Sequence, residues 1–161
     1  MTGKPLKLSA EDAQDLTVIS ACLQDAITRR SAISYQRPQR RFAAVFNRYR
    51  WEGASPDSAG AAPQRTGVVP HGTEGARIRT GVHFEGVLNV QAKGLPEDTD
   101  TPIELLAMRS EPGVEGAATI VLEFAGGAAI RLEVECIDCY LSDLGRSWQA
   151  LRRPTHGDSD N

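Results

Sequence analysis

The chain lacks the sequence motifs that mark the common enzyme classes. It contains no G-x-G-x-x-G, G-x-x-x-x-G-K-[ST], H-E-x-x-H or G-x-S-x-G pattern, which removes the usual nucleotide-binding, zinc-protease and hydrolase signatures. No apolar run approaches the ~20 residues that a membrane-spanning helix needs. The opening MTGKPLKLSAED has no apolar segment of a secretory signal. These absences favour a cytoplasmic protein.

Cysteine and histidine are scarce, with three of each in the chain. Cys136 and Cys139 form a lone C-x-x-C, whereas a structural zinc site uses four ligands. The remaining candidates, Cys22 and the histidines, are scattered along the sequence. A redox pair would place its first thiol at a helix N-terminus in a βαβ setting, and here the motif follows an antiparallel hairpin. We therefore predict no metal, no cofactor and reduced thiols.

Charge is unevenly distributed, although the net charge of -3 excludes a protein that is basic as a whole. Residues 97–143 carry eleven acidic side chains against two arginines, a local sum of 2 - 11 = -9. Residues 29–50 carry no acid and seven arginines, namely Arg29, Arg30, Arg37, Arg40, Arg41, Arg48 and Arg50. The two regions either neutralise each other through cross-strand pairs or form a dipolar surface that meets a partner.

Hydrophobic periodicity predicts one helix near the start of the chain and antiparallel strands after it. Apolar residues recur at helical spacing over 10–25. Residues 120–124 and 130–134 alternate around Gly126-Gly127, a pair typical of a two-residue hairpin turn. The apolar spacing then lengthens and favours a short helix that ends at Gly145.

The densest run of aromatic and basic residues is RFAAVFNRYRWE, residues 41–52. A strand alternates its side chains between two faces, so Arg48 and Arg50 share one face while Tyr49 and Trp51 share the other. We expect the aromatic side chains to turn inward and the two guanidinium groups to reach water. The plainer interpretation is that the arginine stems cover the edge of the core.

Clustered arginines predict a non-enzymatic binding module, because planar guanidinium groups match carboxylate and phosphate. The partner would be an acidic protein surface or a phosphate-bearing ligand, contacted also by Tyr49 and Trp51. The predicted anion-binding residues are Arg37, Arg40, Arg41, Arg48 and Arg50.

Two alternatives use the same region. A small enzyme would have a site formed by His83, Asn47, Arg48 and Arg50. A structural role is the plainer interpretation of His83, because a general base needs an oriented partner. An RNA-binding protein would stack bases on Tyr35, Tyr49 and Trp51, although the net negative charge weighs against it.

Three segments of the chain resemble a bacterial family of small proteins described only as a domain of unknown function. They are LKLSAEDAQDLTVISACLQDA, RFAAVFNRYRWE and GGAAIRLEVECIDCYLSDLG. The shared motif, RF-x4-NR-[FY]-RWE, contains Arg41, Phe42, Asn47, Arg48, Arg50, Trp51 and Glu52. The resemblance implies no catalytic residue, cofactor or substrate.

The elements together predict an α+β fold. We expect a strongly bent antiparallel sheet or split barrel of about seven strands, similar to pleckstrin-homology domains, with an N-terminal helix and a short C-terminal helix. A plain bent sheet with helices on one face is the alternative. Residues 1–153 would form one domain that contains a disordered internal loop over 53–75, rich in Gly, Ala, Ser and Pro. Residues 154–161 would form a flexible tail.

Overall fold

A computed structural model describes residues 5–49 and 77–147 of the chain. Within these ranges the protein consists of ten β-strands and one α-helix, with short 3₁₀ turns between some of them. The helix, α1, spans Ala13–Cys22. The strands are β1 (Lys7–Ala10), β2 (Ile27–Thr28), β3 (Ile33–Gln36), β4 (Arg41–Tyr49), β5 (Arg77–Phe84), β6 (Val87–Lys93), β7 (Ile103–Pro112), β8 (Ala118–Phe124), β9 (Ala129–Val134) and β10 (Cys139–Ser147).

All strand pairs of the described ranges are antiparallel, and the strands form one continuous sheet. The order is β1-β10-β5-β4-β2-β7-β8-β9-β6, with β3 beside β4. The two-residue strand β2 joins the halves, because Ile27 pairs with Asn47 of β4 and with Glu104 of β7. Within the described residues the order ends at β1 and β6, so the sheet is open.

The predicted α+β fold of about seven strands, similar to pleckstrin-homology domains and with two helices, is wrong. The structure has more strands, and the segment predicted as a C-terminal helix is the strand β10. Along β10 Cys139, Leu141 and Asp143 are buried while Tyr140 and Leu144 are exposed. This alternation has the period of a strand, but the buried aspartate conceals it in the sequence.

The N-terminal helix is confirmed, with narrower bounds than 10–25. Its N-cap is Asp12, whose carboxylate accepts a hydrogen bond from the Asp15 N–H at 2.7 Å. Leu16 and Ile19 are buried in the core, where the helix packs against β1 and β7. The described residues contain no helix long and apolar enough to cross a membrane.

The hairpin around Gly126-Gly127 is also confirmed, but its connection is longer than the predicted two-residue turn and spans residues 125–128. β8 pairs with β9, and both glycines have positive φ, 86° and 91°. An L-residue with a side chain adopts that region only at a cost. The predicted loop over 53–75 and the predicted tail over 154–161 lie outside the described residues.

Candidate functional site

The central strand β4 turns one arginine inward. Phe42, Phe46 and Arg48 lie on its buried face, while Tyr49 lies on the opposite, half-buried face. The sequence grouped these faces correctly, but the expectation that the Arg48 guanidinium reaches water and Tyr49 turns inward is corrected. The Arg48 side chain is 0% exposed.

Burial of Arg48 is compensated by a polar network inside the core. Its Nη2 and Nε donate to the two carboxylate oxygens of Asp143, at 2.9 and 3.1 Å. Thr80 accepts from the Arg48 Nε at 3.0 Å and donates to Asp143 at 2.7 Å. The Leu6 N–H donates to the same carboxylate at 2.8 Å. A buried charge needs such pairing, so the anion that Arg48 binds in the structure is a carboxylate of its own chain.

The arginines of the β3–β4 turn and of the first position of β4 lie at the surface, and two of them form ion pairs. Arg40 contacts Glu135, and the Arg41 Nε lies 2.7 Å from a Glu85 oxygen. Within the described residues Arg37 has no ion pair, and its guanidinium lies 5.3 Å from the centre of the Tyr35 ring. Arg50 and Trp51 lie outside the described residues.

A cleft opens on the outer face of the sheet where β4 lacks a continuous neighbour. β3 pairs with β4 as far as Ala44, and β2 pairs with it at Asn47. Between these points the Thr28 hydroxyl donates to the Val45 carbonyl at 2.7 Å. The cleft has a volume of about 220 Å³, and its lining residues are Ile27, Thr28, Arg29, Ala32, Val45, Asn47 and Arg79.

Three polar side chains of this lining have hydrogen-bonding capacity left for a ligand. Arg29 uses its Nε for the Asp100 carbonyl, at 3.1 Å, and forms no ion pair within the described ranges. Arg79 and the Asn47 side-chain amide make no hydrogen bond to any described residue. Asn47 pairs with Arg79 across β4 and β5, which places these two groups side by side. The lining therefore combines two guanidinium groups and an amide, and each has N–H groups that can donate hydrogen bonds to an anion.

The basic character continues along β5 beyond the cleft. Arg77 lies on the same face as Arg79, two residues away. Its guanidinium lies 4.2 Å from the centre of the Tyr49 ring, a cation–π distance. Arg77 also donates to the Asn47 carbonyl at 3.2 Å. Tyr49 is thus placed beside the arginine-lined cleft.

The described residues of the alternative enzyme site, His83, Asn47 and Arg48, do not come together. His83 pairs with Ala43, and Asn47 lies four residues farther along β4, which is about 13 Å at strand spacing. Arg48 faces the core. The His83 ring stacks on Tyr140 at 4.9 Å, and its Nε2 lies 3.3 Å from a Glu85 oxygen.

The C-x-x-C motif places its two thiols in different environments. Cys136 is exposed and Cys139 is buried in β10. Burial raises the pKa of the Cys139 thiol far above its ordinary value, with a smaller contribution from the charge of Asp138. The thiolate that redox chemistry and metal binding require is therefore disfavoured at Cys139. No group of three His, Cys, Asp or Glu side chains suited to a metal ion occurs in the part of the chain that the structure describes.

Sequence reasoning missed Arg79 and Asp143. Arg77 and Arg79 are two residues apart in an alternating strand, a pattern that places both on one face, so a signal for Arg79 existed. Asp143 carries no local signal, because its partner Arg48 lies 95 residues away in the chain.

The fold and the cleft define a protein built on an open antiparallel sheet with an arginine-lined outer face. Residues 6–156 match the family described as "Protein of unknown function (DUF2948)", and the chain belongs to that family. The comparisons with curated proteins and with solved structures gave no match.

Proposed function

We propose that the protein is a non-enzymatic binding module whose cleft between Arg29 and Arg79 binds a carboxylate or phosphate group of a partner molecule. The observation that carries this proposal is the convergence of two guanidinium groups and the Asn47 amide on one cleft. Guanidinium groups bind carboxylate and phosphate through paired hydrogen bonds. Arg79 has no anion among the described residues, so its charge is available to a ligand.

The size of the cleft supports recognition of a single anionic group. Its volume of about 220 Å³ equals roughly seven water molecules at ~30 Å³ each. Pockets that enclose a whole small molecule usually measure about 300–1,000 Å³. A phosphate or carboxylate with a few attached carbons fits this space, whereas the rest of the partner would lie outside it. The cleft itself is therefore sized for one anionic group and not for a whole small molecule.

The aliphatic residues of the cleft add a second requirement for the ligand. Ile27, Ala32 and Val45 line the cleft beside the polar donors. Apolar lining contributes binding energy when the ligand removes it from water. An anion with a short apolar stem, such as an acidic side chain or a phosphoester, gains this energy in addition to the hydrogen bonds of the polar donors, which bind an inorganic anion by themselves.

The experiment is calorimetric titration of the full chain with inorganic pyrophosphate at low salt. We expect Arg79→Gln to weaken binding by roughly 10- to 100-fold, the loss that corresponds to a charged hydrogen bond of about 1.5–3 kcal/mol. Higher salt should weaken binding of the unmodified chain, because charge attraction at an open cleft is screened.

Two matched variants locate the site. Arg131→Gln changes an outward-facing arginine of β9, on the other half of the sheet, and should leave the affinity unchanged. Arg37→Gln changes an exposed arginine of the β3–β4 turn, one of the five to which sequence reasoning assigned the anion, and should also have little effect. Loss of binding in Arg37→Gln with retention in Arg79→Gln would assign the anion to the turn instead of the cleft. Absence of pyrophosphate binding in the unmodified chain would overturn the proposal.

A further inference from the structure

The outer face of β4, β5 and β10, which we call the dipolar face, carries opposite charges at its two ends. Arg77 and Arg79 stand near the start of β5, with Arg29 across the cleft. Beyond the other end of β5 stands Glu85, close to His83 of the same face. Outward positions lie two residues apart, so Arg79 and Glu85 are separated by about 20 Å along the strand.

Two further carboxylates reinforce the acidic end. The interaction of the Tyr140 hydroxyl with the Asp138 carboxylate is the main reason why the pKa of Tyr140 is raised. Ser9 of β1 pairs with Tyr140 two residues before Glu11, and the Glu85 N–H donates to the Asp138 carbonyl at 2.9 Å, so both carboxylates lie at this end of the face.

Arg41 offsets part of this charge through its ion pair with Glu85. Glu135, whose N–H donates to the Gly86 carbonyl next to Glu85, and its ion-pair partner Arg40 also lie at this end. The acidic end therefore contains four carboxylates against two arginines.

The middle of the dipolar face is apolar. Val45 pairs with Gly81, and the Leu144 side chain lies over Gly81, 3.5 Å from the place where a Cβ would stand. Leu144 is 41% exposed, and Tyr140 on the same face is 37% exposed. Exposed apolar groups flanked by charged groups are typical of interaction surfaces.

We propose that the anionic partner of the cleft is the acidic end of a second copy of this chain, and that the two copies pair face to face about a two-fold axis. The inference rests on the proposed function, since it names what the cleft binds. In such an isologous pair the same patch serves both copies. An axis through the middle of β5 sets Arg79 opposite the partner's Glu85, and the symmetry repeats this contact. It also brings the apolar centres of the two copies together.

The area of the face predicts a weak dimer. Three strands at ~4.8 Å spacing and eight residues at ~3.3 Å give roughly 14 by 26 Å, so each copy contributes about 400 Å². Stable complexes usually bury about 800 Å² on each partner. Self-association should therefore have a dissociation constant weaker than about 1 µM and should decrease with salt.

The test is sedimentation velocity of the full chain over a range of concentrations, with charge-reversal variants. Arg79→Glu should abolish dimerisation, because it sets like charges opposite each other twice. Glu85→Lys should do the same, and Asp138→Lys provides a second variant of the acidic end. A mixture of Arg79→Glu with Glu85→Lys should dimerise again, because both contacts of the mixed pair then join opposite charges. Glu133→Lys, on the other half of the sheet, is the matched control and should dimerise normally.

Three results would overturn the inference. The unmodified chain could stay monomeric at every concentration, the reversal variants could dimerise like the control, or the mixture could stay monomeric. The pyrophosphate titration separates this failure from failure of the proposed function. If the chain is monomeric but binds pyrophosphate through Arg79, the cleft is still an anion site, and only the second copy is excluded as its partner. If the chain is monomeric and binds no pyrophosphate, both the proposed function and the proposed dimer are excluded.

Discussion

Arg48 and Asp143 are joined by two hydrogen bonds in the core, at 2.9 and 3.1 Å, with both side chains 0% exposed. They belong to β4 and β10, on either side of β5, which contributes Thr80 between them. Asp143 also accepts a hydrogen bond from Leu6, just before the edge strand β1. One ion pair thus links four neighbouring segments of the sheet.

Removing one partner of this pair should destabilise the protein strongly. We expect Arg48→Met, or separately Asp143→Leu, to lower the free energy of unfolding by about 3–5 kcal/mol, because the remaining buried charge loses its counter-ion. Denaturant unfolding measures the loss. Arg41→Met removes one partner of a surface ion pair and should cost no more than about 1 kcal/mol. Equal losses in Arg48→Met and Arg41→Met would contradict a structural role for the buried pair.

Removing both partners together should cost less than the sum of the single changes. The double variant Arg48→Met/Asp143→Leu leaves no unpaired charge, and apolar replacements of buried ion pairs are often tolerated. The double variant should still have a lower free energy of unfolding than the unmodified chain, because Leu6 and Thr80 lose their hydrogen-bond acceptor. The double-mutant cycle measures this coupling. Strict additivity would show that the two side chains act independently.

The same ion pair explains where sequence reasoning succeeded and where it failed. The strand containing Phe42 and Phe46 and the hairpin at Gly126-Gly127 follow from local alternation and turn chemistry, so both were predictable. Arg48 and Asp143 are charged residues at inward-facing positions. Local sequence patterns place charged residues on the solvent-exposed face. The wrong placement of Arg48 and the wrong C-terminal helix both follow from this, because each charge is explained only by a partner far away in the chain.

The residues of the candidate cleft were predictable only in part. A cluster of arginines predicted an anion-binding surface, which stays a prediction, and Arg29 belongs to that cluster. The cleft itself depends on Asn47 pairing with Arg79 across two strands. The segment between β4 and β5 separates these residues in the sequence, so the sequence alone does not reveal that they pair.

Thiol labelling should distinguish the two cysteines of the C-x-x-C motif. Cys136 is exposed, whereas Cys139 is buried with a raised pKa. We expect iodoacetamide to alkylate Cys136 in the folded protein and Cys139 only after unfolding, since the thiolate is the reactive form. Peptide mapping by mass spectrometry measures both positions. Rapid labelling of Cys139 in the native state would contradict its burial.

The Tyr140 phenol should make stability fall at alkaline pH. Its pKa is raised in the folded protein, so the native state holds the proton more tightly than the unfolded chain does. This contribution is complete below the unfolded value of about 10 and is lost as the pH rises through the folded pKa. Asp138→Ala removes the main cause and should lower the pKa of Tyr140. Near-ultraviolet titration of tyrosinate measures this shift, with Tyr140→Phe as the reference, and an unchanged titration would contradict the interaction with Asp138.

The described arginines include a buried structural one, Arg48, and an outward pair, Arg29 and Arg79, which we propose binds anions. The most direct measurement follows the side-chain Nε–Hε resonances of ¹⁵N-arginine-labelled protein during titration with pyrophosphate. The resonances of Arg29 and Arg79 should shift as pyrophosphate is added, reach a plateau at saturation and shift less at high salt. The resonance of Arg48 should stay in place. A shift of Arg48 together with a static Arg79 would contradict this division of roles.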